Sequence, residues 1–275
     1  MRRRFSRRKT MVGREFTSMF SKIEKPTKSI GYNYNILCRW QNRPQPPRVI
    51  GDTFLRTLDA LGKVDPILRH WRLADYEAMR SVPLAQARAR ISQLVQFGVA
   101  TDDFGDPEPE DGYQVNATNT PQELETDHAE MFGFGVKAGS RGDNRAQFEA
   151  GFMMTLPKPS IVTFPIYRGA LLAMIADWPS DWANAYAFDM TYSKTSPVPG
   201  AAPVPYTIFH MPWMSYLPAA KAEGLVVPPP ITAEKTPDGG LLMIATTDRL
   251  DPTNPDHLER ARVLSRIMVD RTGLE

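Results

Sequence analysis

Between Thr246 and Arg262 the chain reads "TTDRLDPTNPDHLERAR", which gathers Asp248, Asp251, Asp256, His257 and Glu259. Carboxylates beside an imidazole can ligate a divalent metal or relay a proton. The spacing argues against both. An EF-hand loop needs acids at alternate positions, a glycine and a distal glutamate, and no glycine lies among these acids. A zincin needs two histidines one helical turn apart, whereas His70, His128 and His210 are scattered far from His257. Asn254-Pro255-Asp256 is instead a helix start: a capping amide, a proline whose missing N–H costs nothing, and an acid facing the positive helix end. The spacing predicts a helix with Leu258, Ala261, Leu264 and Ile267/Met268 on its apolar face. Asp248 and Asp251 then read as loop acids that cap turns or face a partner, and no metal or cofactor is expected.

Other groups invite the same test. "AGSRG" (Ala138–Gly142) imitates a nucleophile elbow, but that motif needs a helix after it, and the polar "DNRAQ" that follows suits a hairpin loop. A hydrolase using Ser140, or the Asp248/Asp251/His257 cluster, is the enzymatic alternative. "GFGVKAG" is no dinucleotide fingerprint, because its third glycine falls one position late. Asp177 and Asp181 flank a proline break, where capping is the commoner role for such acids. No P-loop, zinc ribbon or restriction-type nuclease motif occurs.

The elements that must carry these residues are legible in outline. "YNYNILCRWQ" reads as a strand. "VIGDTFLRTLDALGKV" puts Ile50, Phe54, Leu58 and Leu61 at helical spacing. "PLAQARARISQLVQFG" reads as one helix, started by Pro83, stopped by Gly98, with Leu84, Ala87, Ile91, Leu94 and Val95 on one side. "YQVNAT" reads as a strand; "QFEAGFMMTL" and "SIVTFPI" read as neighbouring strands; "YRGALLAMIADW" reads as a helix leading to a further strand in "SDWANAYAFDMTY". "SKTSPVPGAAPVP" is a linker. "YTIFHMPWMSYLPAAKAEG" begins as a strand and turns helical, and a hairpin turning at Asp238-Gly239-Gly240 precedes the last helix. The aromatic pieces "DWPSDW" and "MPWMSYL" read as core. Interspersed helices and hairpins indicate an α+β fold, with a largely antiparallel sheet and helices packed on it. "LRTLDALGKVDPILRHW" and "LLAMIADWPSDW" both run from helix through an Asp/Pro break to Trp, which suggests two similar strand–helix halves.

Charge is unevenly spread. Residues 1–30 carry ten Lys/Arg against two Glu; the other 245 residues hold 23 basic and 29 acidic groups. The organisation expected is a basic, disordered leader over 1–30 and a single domain over 31–275, with 119–150 as an insertion. The leader lacks aromatic interleaving, so at most a weak nucleic-acid role is expected of it. Asp102, Asp103, Asp106, Glu108, Glu110 and Asp111 put six acids into ten residues with no base, which demands an exposed loop. The apolar runs are too short to span a membrane, no signal-peptide core follows the basic start, and Cys38 is the single cysteine. A reducing cytoplasm is the expected compartment.

In order, these pieces resemble the immunity protein 52 family of bacterial polymorphic toxin systems: a strand ending in Trp, "VDPILRHW", "DWPSDW", "PWMSYL", a proline-bounded "VVPPP" and "TDRLDPTNPDHLERARVL". The resemblance runs over roughly residues 32–274. Pro179-Ser180 stands where the family motif has Asp-Pro before Asp-Trp. The resemblance implies a non-enzymatic, cytoplasmic protein that binds a cognate toxin. It implies that the toxin is a nuclease domain of restriction-endonuclease fold, delivered by a contact-dependent system such as type VI secretion. An acidic body suits that partner, since a nuclease presents a positive surface to phosphates. The toxin-binding residues expected are Asp102, Asp103, Asp106, Glu108, Glu110 and Asp111, with Asp248 and Asp251 second. An adaptor or chaperone that loads an effector is the remaining alternative.

Overall fold

Strict alternation along "NYNILCRW" turns Tyr34, Ile36, Cys38 and Trp40 into the core and leaves Asn35, Leu37 and Arg39 half-buried on the other face. This is strand β1 (Asn33–Trp40), the middle of the molecule in a computed structural model. The structure describes residues 32–41, 43–119, 132–140, 148–154, 160–188 and 211–273, with 148–154 and 188 described by their backbone. The basic leader and the proline-rich linker lie outside these residues.

The remaining strands are β2 (Arg72–Asp75), β3 (Arg80–Pro83), β4 (Tyr113–Thr118), β5 (Phe132–Ala138), β6 (Phe148–Met154), β7 (Trp182–Phe188), β8 (Pro212–Leu217), β9 (Thr232–Lys235) and β10 (Leu241–Ile244). They form one ten-stranded sheet in the order β3-β2-β4-β5-β6-β1-β7-β8-β10-β9. Every described pairing is antiparallel. Residues 132–138, within the stretch expected as an insertion, are β5, flanked by β4 and β6.

Helix α1 (Pro47–Val64) buries Ile50, Phe54, Leu58 and Leu61. It stops where Asp65-Pro66 disfavours a further helical turn, and the Asp65 carboxylate caps the turn that follows by accepting the Ile67 N–H at 2.9 Å. The stretch expected as one helix over 83–98 is broken into α2 (Leu84–Arg88) and α3 (Ile91–Phe97). The cause lies far off in sequence: Arg90 leaves helical geometry and donates to the buried Asp75 carboxylate at 2.9 Å. "SIVTFPI" is not a strand. Thr163 caps helix α4 (Phe164–Asp177), and Pro165 sits in its first turn.

Helices α1, α3 and α4 share one face of the sheet. Gly169 of α4 approaches α1 so closely that a Cβ there would lie 2.6 Å from Val64 Cγ1. Arg56 and Thr57 of α1 both donate to the Asp177 carboxylate. Helix α6 (Pro255–Thr272) lies on the opposite face, where Leu264, Ile267 and Met268 meet Trp182, Leu217 and Met243. Strand β8 is therefore covered on both sides, and all six of its residues are buried.

The two halves repeat in element order. β1–α1–β2–β3–α2/α3–β4–β5 is followed by β6–α4–β7–β8–α5–β9–β10, with α5 spanning Ala219–Ala222. They differ in placement: the first hairpin of the first half (β2-β3) lies at the sheet edge, whereas that of the second (β7-β8) lies next to β1.

Candidate functional site

The loop before α6 is fastened from the core. The buried Tyr34 hydroxyl donates to the Leu250 carbonyl at 2.7 Å, and the Trp213 indole donates to the Thr246 carbonyl at 3.0 Å. Tyr34, Tyr167 and Trp213 form one ring cluster, and the Tyr167 hydroxyl donates to the Tyr34 carbonyl at 3.0 Å. The aromatics thus supply apolar bulk and the polar handles that fix residues 246–250.

Within the loop Asn254, Asp251 and His257 have structural tasks. Asn254 Oδ1 accepts from the backbone of Asp256 at 2.9 Å and of His257 at 3.4 Å, as the helix-start signature requires. Asp251 accepts from the Thr253 N–H at 2.8 Å and its hydroxyl at 2.7 Å. Partial burial works to raise the Asp251 carboxyl, but these bonds and the nearby His257 and Arg249 hold it below the ordinary value. His257 Nδ1 accepts the backbone N–H of Asp251 at 3.0 Å, so that nitrogen is not free to take a substrate proton. Asp248 is exposed, and its N–H donates to Thr246 Oγ1 at 3.1 Å. A shallow recess of about 280 Å³ lies alongside, lined in part by Thr246, Asp248, Asp256, His257 and Arg260. Among the described residues, no group of three or more His, Cys, Asp or Glu is placed to hold a metal ion.

Ser140 lies elsewhere. It is buried at 1% exposure, just past the end of β5. β5 pairs Ala138 with Tyr113, at the end of the sheet where β4 begins. β10 reaches Thr246 from Ile244, which registers with Met214 near the start of β8, at the opposite end. Ser140 and the Asp248/Asp251/His257 loop are therefore at opposite ends of the sheet and share no pocket. Asp177 and Asp181 do not pair either: Asp177 binds Arg56 and Thr57, and Asp181 accepts the Gln41 N–H at 2.8 Å.

The acidic stretch forms a braced finger. Isolated bridges join Val99 to Tyr113 and Thr101 to Pro107. Backbone bonds run from Ala100 to Gly112 at 2.9 Å and from Glu108 to Ala100 at 2.7 Å. Gly112 has φ +90°, and a Cβ there would lie 2.6 Å from the Ala138 carbonyl, so the finger's root admits only glycine. At the tip, Asp102 Oδ1 accepts the N–H groups of Phe104 and Asp106, both at 2.8 Å. All residues from Asp103 to Asp111 are exposed. Glu108 shares a hydrogen bond with Asp111, which raises its carboxyl above the ordinary glutamate value; slight desolvation and the charges of Asp111, Asp102 and Asp103 act the same way.

The structure keeps the two expected groups of acids apart. The finger lies at the end of the sheet where β4 begins, and Asp248 and Asp251 lie at the other. Sequence reasoning took the finger's acids and passed over Phe104, which is 87% exposed between them. A lone aromatic inside a run of acids was the available signal.

The family model for immunity protein 52 matches residues 32–274. No curated protein matches the chain in sequence. Among solved structures, a Pseudomonas aeruginosa T6SS protein, PA0821, aligns over 92% of this chain and 82% of its own, at 10% identity and a TM-score of 0.46. A score this low does not establish a common fold. The family match spans the whole described sheet and every helix on it, and the chain belongs to the immunity protein 52 family.

Proposed function

We propose that this immunity protein binds its cognate toxin in the cytoplasm and covers the toxin's active or substrate-binding surface, and that it catalyses nothing. The toxin is a nuclease domain of a contact-dependent, type VI-like system. The observation that carries the reading is the finger over residues 98–112: six carboxylates and no base, on a hairpin held rigid by its own backbone. A phosphate-binding cleft is positive by necessity, and carboxylates carried on a braced backbone meet it at a smaller ordering cost than those of a loose loop. Burial of Ser140 and the structural bonds already made by His257 Nδ1 and Asp251 support binding over hydrolysis. Asp102, Asp103, Asp106, Glu108, Glu110 and Asp111 form the first contact surface of this reading, and Asp248 and Asp251 a second, separate one. No described helix is long and apolar enough to cross a membrane.

The test is co-expression with the toxin encoded by the adjacent reading frame. The wild-type chain keeps the cell alive, and reversal of Asp103, Asp106 and Glu110 to Lys, which leaves the Asp102 acceptor at the tip in place, abolishes protection while the fold is retained. Unchanged protection by the triple reversal refutes the finger as the contact surface. Survival with a purified complex that still cleaves nucleic acid points to an adaptor.

A further inference from the structure

Phe104 is costly to display. Burying a phenylalanine side chain is worth roughly 1.5–3 kcal/mol, yet Phe104 stands 87% exposed. Nor is it loose. Its N–H is fixed to Asp102 Oδ1 at 2.8 Å, the Gly105 N–H returns to the Asp102 carbonyl at 3.0 Å, and the Asp102 N–H donates to the Asp106 carbonyl at 3.0 Å. The chain thus holds an aromatic ring in water at the tip of a rigid hairpin. Two of the other exposed large apolar residues, Met79 at 64% and Val49 at 43%, lie at the same end of the sheet. Met79 closes the β2–β3 turn, whose Tyr76 bonds Asn116 of β4. Val49 is in the first turn of α1, next in sequence to Ile50, whose Cδ1 would lie 2.9 Å from a Cβ at Gly139 at the end of β5.

We infer that Phe104 is the apolar anchor of the toxin interface, seated in a recess of the toxin bordered by basic side chains. This rests on the toxin-binding reading above and adds the residue that sets its lifetime. Charge complementarity fixes the occupant: any surface that buries this ring also meets the carboxylates of Asp103 and Asp106 on either side of it, so the rim of the recess is cationic. Rim charges act mainly on the rate of encounter, whereas a buried aromatic acts on the rate of escape. Asp102 is a positioning residue. Its carboxylate matters as the acceptor that fixes Phe104, and an asparagine keeps that acceptor without the charge.

The experiment measures association and dissociation of the full chain with the catalytic domain of the adjacent toxin, at several salt concentrations. Phe104→Ala is expected to raise the dissociation rate about 30-fold. Association changes little, the salt dependence stays as in the wild type, and so does the thermal midpoint, since Phe104 is 87% exposed. Asp103→Lys with Asp106→Lys slows association and flattens the salt dependence. Asp102→Asn retains a slow dissociation, and Asp102→Ala approaches Phe104→Ala. A Phe104→Ala chain that dissociates like the wild type, while the double reversal weakens binding, overturns the anchor and leaves the electrostatic reading standing. No association of the wild-type chain overturns both.

Discussion

The Tyr34 hydroxyl and the Leu250 carbonyl, 216 positions apart in sequence, meet at 2.7 Å inside the core. The central strand of the sheet thereby holds the loop that carries Asp248 and Asp251. Tyr34→Phe removes the donor and leaves a buried carbonyl unpaired. The expected cost is about 1–2 kcal/mol in urea unfolding, with faster amide exchange confined to residues 246–254.

Helix α6 depends on its cap. Asn254→Ala leaves the N–H groups of Asp256 and His257 without their acceptor, and should lower stability by about 1 kcal/mol. Asn254→Asp keeps the acceptor and adds a charge that suits the helix start, so its denaturation midpoint should match or exceed that of the wild type.

Asp238 closes the β9–β10 turn and accepts from Tyr216, Thr236 and the Gly240 backbone. Partial burial works to raise its carboxyl, but those bonds hold it below the ordinary aspartate value. A depressed carboxyl contributes stability above its unfolded value and loses it as pH falls through its folded value. Urea midpoints of wild type and Asp238→Asn, measured over a pH series, should differ most near neutrality. They should converge as pH drops below the ordinary aspartate range.

Cys38 is fully buried on β1, and burial pushes its thiol up to about 12, with a hydrogen bond involving Ser180 opposing only in part. The native chain should resist iodoacetamide at pH 8 and react readily in denaturant. Rapid alkylation without denaturant would place β1 at the surface.

Glu108 and Asp111 give toxin binding a pH signature. Their shared hydrogen bond raises Glu108 in the free protein, and a cationic partner favours its charged form, so binding releases a proton at any pH where Glu108 is protonated in the free protein. Affinity should fall on acidification, starting above the ordinary glutamate range. Glu108→Gln should move that onset downward in a titration of Kd against pH.

What was legible in the sequence was what neighbours in the chain decide. Asn254-Pro255-Asp256 announces α6, alternation announces β1, and Asp238-Gly239-Gly240 announces the last hairpin. The start of α4 at Thr163 was not announced, because the β-branched residues Ile161 and Val162 before it read as a strand. The break at Arg90 was not legible, because its partner Asp75 lies on another element. The separation of the two acidic groups was hidden for the same kind of reason: it follows from strand order. The exposure of Phe104 depends on the bridges that form the finger: the sequence shows an aromatic among acids, and the fold decides that it stays uncovered.

The most direct measurement is hydrogen exchange on the purified chain, free and bound to its toxin, with the toxin's activity followed in the same titration. Protection over residues 98–112 and loss of toxin activity at equimolar ratio are expected. A silenced toxin with unchanged exchange in the finger, or a finger that becomes protected while the toxin stays active, would contradict inhibition through the finger.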